Sequence, residues 1–190
     1  MSVTHANRGV LVEDLWDDCS VLTATAINPS GPDGAMTIIT AAPPAYTGLM
    51  QADAIGESCT VCWQINHKYK MGTDVKPHIH IVRNDGADNT GDCSFEAKFR
   101  YLPLRGTASA WTDWVAGDTT LQPATGADET GLISWSLANA TYSFGISGRI
   151  MAIIKRVGVG GGSETGSLAV DSTDLHIQQG QYGSQQEGSL

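Results

Sequence analysis

The run Cys93-Ser94-Phe95-Glu96-Ala97-Lys98-Phe99-Arg100-Tyr101 alternates small or aromatic residues with polar ones along its whole length. Successive side chains of a β-strand point to opposite faces, so this run reads as a strand with one face in a core and the other in water. The same period recurs upstream, where Val61, Trp63 and Ile65 alternate with Cys62, Gln64 and Asn66. Downstream, residues 148–157 hold Ile150, Met151, Ala152, Ile153 and Ile154, apolar at consecutive positions, and read as a central strand. Further strands are expected over 19–27, 35–40, 77–82, 111–115, 132–137, 142–146, 168–170 and 174–178.

Between these runs the chain is punctuated by turn chemistry. Asn28-Pro29-Ser30-Gly31-Pro32-Asp33-Gly34 is a loop, Pro43-Pro44 excludes helix from 41–48, and Gly158-Val159-Gly160-Gly161-Gly162-Ser163 reads as a flexible hairpin-like loop. No stretch of helical length carries a 3.6-residue apolar period with caps, and no internal repeat is present. Many short strands separated by turns predict an all-β, antiparallel sandwich or barrel. The expected organisation is an N-terminal arm over 1–18, one β-domain over 19–179 and a Gly-, Gln- and Ser-rich C-terminal arm over 180–190.

Composition agrees with strands. Charged residues make up only 16% of the 190, while 22 are glycine, which leaves too few Lys and Glu for many exposed helix faces. Net charge is −9, and seven of the eleven basic residues fall between Lys68 and Arg105. An acidic chain repels phosphate backbones, so no nucleic-acid partner is expected. No apolar run approaches the roughly 18 residues of a membrane span, so no membrane partner is expected either. The first residues lack the basic start and apolar block of a secretion signal, which predicts synthesis in a cytoplasm.

Chemistry-bearing residues are sparse. Cys59 and Cys62 form C-x-x-C, but on a strand two positions three apart face opposite ways, so they are expected as buried, reduced thiols rather than a metal site. His78 and His80 in Pro77-His78-Ile79-His80 share one strand face and are the weak candidates for a metal. A cupin-like metal enzyme would add a carboxylate shortly afterwards, where Arg83 and Asn84 stand, and a third His, for which His176 is the one downstream residue. The histidines are therefore read as structural or interfacial, with no catalytic residue and no cofactor assigned. Trp111 and Trp114 suggest an interface or a sugar platform, but three apart on an extended strand they would point opposite ways, placing one in the core.

Two blocks of sequence resemble a family of short bacteriophage virion proteins encoded near the head genes. The first runs Trp63-Gln64-Ile65-Asn66-His67-Lys68-Tyr69-Lys70, Gly72-Thr73-Asp74-Val75 and Pro77-His78-Ile79-His80, followed by the alternating strand. The second is Gly148-Arg149-Ile150, then Arg156, then Asp174-Leu175-His176-Ile177 and Tyr182-Gly183-Ser184. The resemblance covers roughly residues 60–105 and 148–184, and departs in the Gly-rich insertion after Arg156 and in Ile81, where an aromatic is common. It implies a jelly-roll-like β-sandwich, a homotrimer and a place on the virion, as a capsid decoration or cement protein bound to the major capsid protein. A head-fibre base and a tail-associated receptor- or carbohydrate-binding module are the neighbouring readings. His78, His80, Trp111, Trp114 and His176 are the residues expected at an interface or binding site.

Overall fold

The computed structural model describes residues 16–18, 21–22, 37–38, 50–52, 54–83, 94–121, 130–158 and 168–180. Twelve strands and one short helix make up this part: β1 Trp16–Asp18, β2 Val21–Leu22, β3 Thr37–Ile38, β4 Met50–Ala52, β5 Ser58–Gln64, β6 Val75–Arg83, β7 Ser94–Leu102, β8 Val115–Ala116, β9 Asp118–Leu121, β10 Thr130–Ser134, α1 Asn139–Tyr142, β11 Arg149–Val157 and β12 Leu168–Gln178. All strand pairs are antiparallel.

The strands form two sheets. The larger runs β3-β4-β12-β6-β10-β9, with β1 and β2 also paired to β12, and the smaller runs β5-β11-β7-β8. The chain changes sheet from β4 to β5, β5 to β6, β6 to β7, β8 to β9, β10 to β11 and β11 to β12. Within the sheets, strand orders β4-β12-β6-β10 and β5-β11-β7-β8 result, which is the two-Greek-key winding of a jelly roll. The fold is thus an all-β, jelly-roll-like sandwich, as the period-2 runs and the resemblance implied.

The strongest sequence signal is the plainest piece of structure. Along β7, Phe95, Ala97, Phe99 and Tyr101 are buried while the residues between them are half-exposed. β11 lies between β5 and β7, with Ile150 opposite Trp63 and Tyr101, Ala152 opposite Val61 and Phe99, and Ile154 opposite Cys59 and Ala97. Ala152 thus sits beside the Phe99 ring, and Ile154 lies between the smaller Cys59 and Ala97, so small and large side chains are paired across part of the inner face. The facing layer is built from Val75, Ile79 and Ile81 of β6, Ile133 of β10, and Leu168, Val170, Leu175 and Ile177 of β12. Phe99 meets Trp135 edge-on at 5.9 Å between ring centres. The buried guanidinium of Arg156, on β11, donates to the carbonyl of Ala52, on β4, at 2.5 Å and so ties the two sheets together.

Several expectations change. Trp16–Asp18, expected in the N-terminal arm, pair with β12 as β1, and the strand expected over 132–137 is β10, Thr130–Ser134. Residues 142–146 are not a strand: α1 ends at Tyr142, Ser143 takes a left-handed conformation (φ 51°), and the Asn139 side chain accepts from the Phe144 N–H. A short polar side chain that satisfies backbone donors locally competes with a sheet ladder, and here it wins. Of the strand expected over 111–115, only β8 forms. The separate strands expected at 168–170 and 174–178 are one continuous β12, with a register shift between Val170 and Ser172. β11 is central, as expected, but only one of its faces is fully buried. The segments 19–20, 23–36, 41–48 and 159–163 lie outside the described residues, as do 1–15 and 181–190.

Candidate functional site

β6 and β12 are neighbours in the middle of the larger sheet, and their inward residues belong to the core. The alternate residues, His78 and His80 on β6 and Asp174 and His176 on β12, therefore share the sheet's outer face. The register sets Asp174 opposite His78, Ser172 opposite His80 and His176 opposite Lys76. Two dipeptide-spaced motifs, H-x-H and D-x-H, thus become one cluster through a strand pairing.

The contacts are close. The Nε2 atoms of His78 and His80 are 3.1 Å apart. Asp174 Oδ2 lies 3.0 Å from His80 Nε2 and 3.4 Å from His78 Nε2. The His176 ring is tilted over that of His78, with 4.1 Å between centres, and the His80 ring meets His78 edge-on at 4.9 Å. His78 is only 2% exposed although it faces outward from the sandwich, whereas the His80 side chain is 41% exposed. The cluster is buried at its base and opens to solvent at His80.

Sequence reasoning identified His78, His80 and His176 and missed Asp174 as their partner. The carboxylate sought beside the H-x-H motif comes instead from β12, two residues before His176. The signal was present in Asp174-Leu175-His176, whose outer positions share a strand face, once β12 is known to pair with β6.

Trp111 and Trp114 lie elsewhere, on the segment beside β7, and each is 37% exposed. Neither is a core residue, which corrects the expectation that one would be. The period-2 argument fails because residues 103–114 are not a regular strand, although Ser109 and Thr112 still bond to the β7 backbone. The Trp114 ring is occupied by ammonium groups, Lys155 Nζ at 4.0 Å and Lys98 Nζ at 4.9 Å from its centre. A groove of about 350 Å³ beside β8 is lined by Gly117, Asp118, Trp135 and Lys76 but not by either of these tryptophans.

Cys59 points inward and is fully buried, whereas Cys62 is half-exposed on the other face of β5, which corrects the expectation of two buried thiols while dividing the sulfurs as strand geometry predicts. Burial pushes the Cys59 thiol up to about 12. Among the described residues, no helix is long and apolar enough to cross a membrane.

No family model matches the chain, and no curated protein matches it. Solved structures with a similar arrangement include the xylan-binding module CBM15, at 13% identity over 87% of this chain and 98% of that one, TM-score 0.45. The infectious bursal disease virus VP2 subviral particle matches at 15% identity over 90% of this chain, TM-score 0.42. Bacteriophage CBA120 tailspike protein 4 matches at 9% identity over 86% of this chain, TM-score 0.36. The match spans 34% of the VP2 chain and 19% of the tailspike chain. These likenesses carry no argument about function, and the jelly-roll assignment stands on this chain's own strand order.

Proposed function

We propose that the chain is a non-catalytic structural component of a bacteriophage particle, made in the host bacterial cytoplasm: a decoration or cement protein that trimerises and docks on the major capsid protein. One observation carries this reading. The two sequence blocks that resemble phage virion proteins supply β5, β6, β7, β11 and β12, and their Pro-His-x-His and Asp-x-His pieces become adjacent strands. Short motifs in matching order gain weight when they assemble into one structural unit.

The physical requirements of the role agree. A decoration protein needs a rigid body and a symmetric interface rather than a reaction centre, and a cyclic trimer gives three identical contacts at a threefold lattice position. Each contact can be weak, because joining three raises avidity without new chemistry. The acidic N-terminal segment and the Gln-rich C-terminal segment are the proposed docking arms. Deleting residues 1–15 leaves β1 intact and should reduce co-sedimentation with assembled capsids far more than it lowers the melting temperature. A native mass of one chain at micromolar concentration, together with capsid binding unchanged by the deletion, would defeat the proposal.

A tail-associated receptor- or carbohydrate-binding role is the second reading, favoured by one observation, the half-exposed Trp111 and Trp114. It predicts oligosaccharide binding that Trp111→Ala abolishes, and the decoration reading predicts none.

A further inference from the structure

The geometry points to His78 Nε2, His80 Nε2 and Asp174 Oδ2 as three ligands of one divalent transition-metal ion, of which zinc is the best match. The edges of this triangle are 3.1, 3.0 and 3.4 Å. Tetrahedral zinc with nitrogen and oxygen ligands at about 2.0–2.2 Å separates its ligand atoms by about 3.3 Å. The three atoms are thus already arranged as one face of such a tetrahedron. An ion about 1 Å off their plane would reach all three with shifts of a few tenths of an ångström.

Proton counting favours a cation over hydrogen bonds alone. If both imidazoles carry a proton on Nε2, both can donate to Asp174, but the two N–H groups then oppose each other across 3.1 Å. If only one carries it, the other nitrogen presents a lone pair either to the carboxylate or to a proton already committed elsewhere. Neutral imidazoles therefore leave one edge of the triangle without an attractive contact, whereas a central cation accepts a lone pair from each corner. The second carboxylate oxygen, Asp174 Oδ1, is also buried, and it has no hydrogen-bond partner among the described residues. The Asp174 side chain is only 9% exposed, so its negative charge is held away from water, where a cation offsets it best.

The support is rigid. The three ligands sit on adjacent central strands, two on β6 and one on β12, and His176 packs against the His78 ring, which makes it a positioning residue rather than a ligand. The exposed edge at His80 gives an entry path and leaves the fourth coordination position for water. Two imidazoles and one carboxylate select a transition metal over magnesium or calcium, which prefer all-oxygen sites. Because the ligands come together only when β6 and β12 pair, the ion would bind the folded chain and stabilise it. This inference is independent of where the protein sits on a particle.

The test uses the full-length chain stripped with EDTA and titrated with Zn²⁺, with Mg²⁺ as control. One Zn²⁺ should bind per chain and raise the melting temperature, and Mg²⁺ should do neither. Co²⁺ should give the visible absorption of a tetrahedral site. His80→Ala, at the exposed corner, and Asp174→Asn should each weaken Zn²⁺ binding by roughly 100-fold or more, while His176→Ala should weaken it by about 10-fold. Circular dichroism checks that each variant is folded. Absence of stoichiometric Zn²⁺ binding by the wild-type chain would overturn the assignment. So would Zn²⁺ bound equally well by folded His80→Ala and Asp174→Asn, since the ion would then sit elsewhere.

Discussion

The two sheets of this sandwich use strand alternation differently. In β5-β11-β7 most outward positions are ordinary and half-exposed, Glu96, Lys98 and Arg100 among them, and the inward ones are apolar apart from Arg156 at one end. In the larger sheet the outward positions at the centre are His78, His80, Asp174 and His176, and His78 and Asp174 are nearly as buried as the core. The first sheet is stabilised mainly by area removed from water. The second places titratable groups where each must be satisfied by its neighbours. The difference teaches that alternation tells which face a residue takes, but not whether that face is wet.

The contrast can be broken first at Phe99. Phe99→Ala removes a fully buried ring between Ala152 and Trp135 and should cost about 3–5 kcal/mol, read from denaturant unfolding. A loss under about 1 kcal/mol would mean the smaller sheet does not hold the core. In metal-free protein, Asp174→Asn on the other sheet should cost less, about 1–3 kcal/mol, because it alters a buried polar partner and leaves no cavity. If it costs more than Phe99→Ala, the ranking of the two sheets is reversed.

Gly148→Ala sharpens the account of the smaller sheet. A Cβ at this position would come within 2.5 Å of the Tyr101 hydroxyl and 2.6 Å of its ring, and that hydroxyl accepts from the Gly145 N–H. Overpacking here should cost about 1–3 kcal/mol, and Gly148→Ala combined with Tyr101→Phe should recover part of it. The glycine of the Gly-Arg motif then has a packing reason.

Cys59 gives a pH signature of the dry inner face. Its thiol is pushed up to about 12 by burial, whereas an unfolded cysteine ionises near about 8.5. The folded state therefore keeps a proton that the unfolded state loses. This contribution is complete below about pH 8.5 and is lost as the pH rises through the folded value. Cys59→Ala should flatten the alkaline fall in stability, and in the wild type Cys62 should be alkylated before Cys59. The smallest effect is expected on the wet face: Lys155→Ala, which removes a cation over Trp114 and a 3.7 Å ion pair to Glu96, should cost about 1 kcal/mol or less.

Much of the fold was legible because its signals are local. Val61, Trp63, Ile65, Phe95, Phe99 and Tyr101 declare the inner face by period alone, Ile150 and Ile154 stand in a run apolar at consecutive positions, and all are buried. What escaped the reading depends on long-range pairing or on side-chain competition with the backbone. Phe144 is apolar and buried, yet it follows a turn closed by Asn139 rather than lying in a strand. Trp111 and Trp114 border a strand without belonging to one, so their phase could not be counted. The His–Asp cluster needed the adjacency of β6 and β12, which follows from the winding of the whole jelly roll and from no single stretch of sequence.

The central proposal, that this jelly roll is a repeated component of a phage head, is tested most directly by a density map of intact phage particles purified from cells that express the chain. The account predicts trimers of this sandwich on the outer capsid surface at threefold lattice positions, in copy numbers that scale with the major capsid protein. A few copies at the tail tip, or none on the particle, would contradict it.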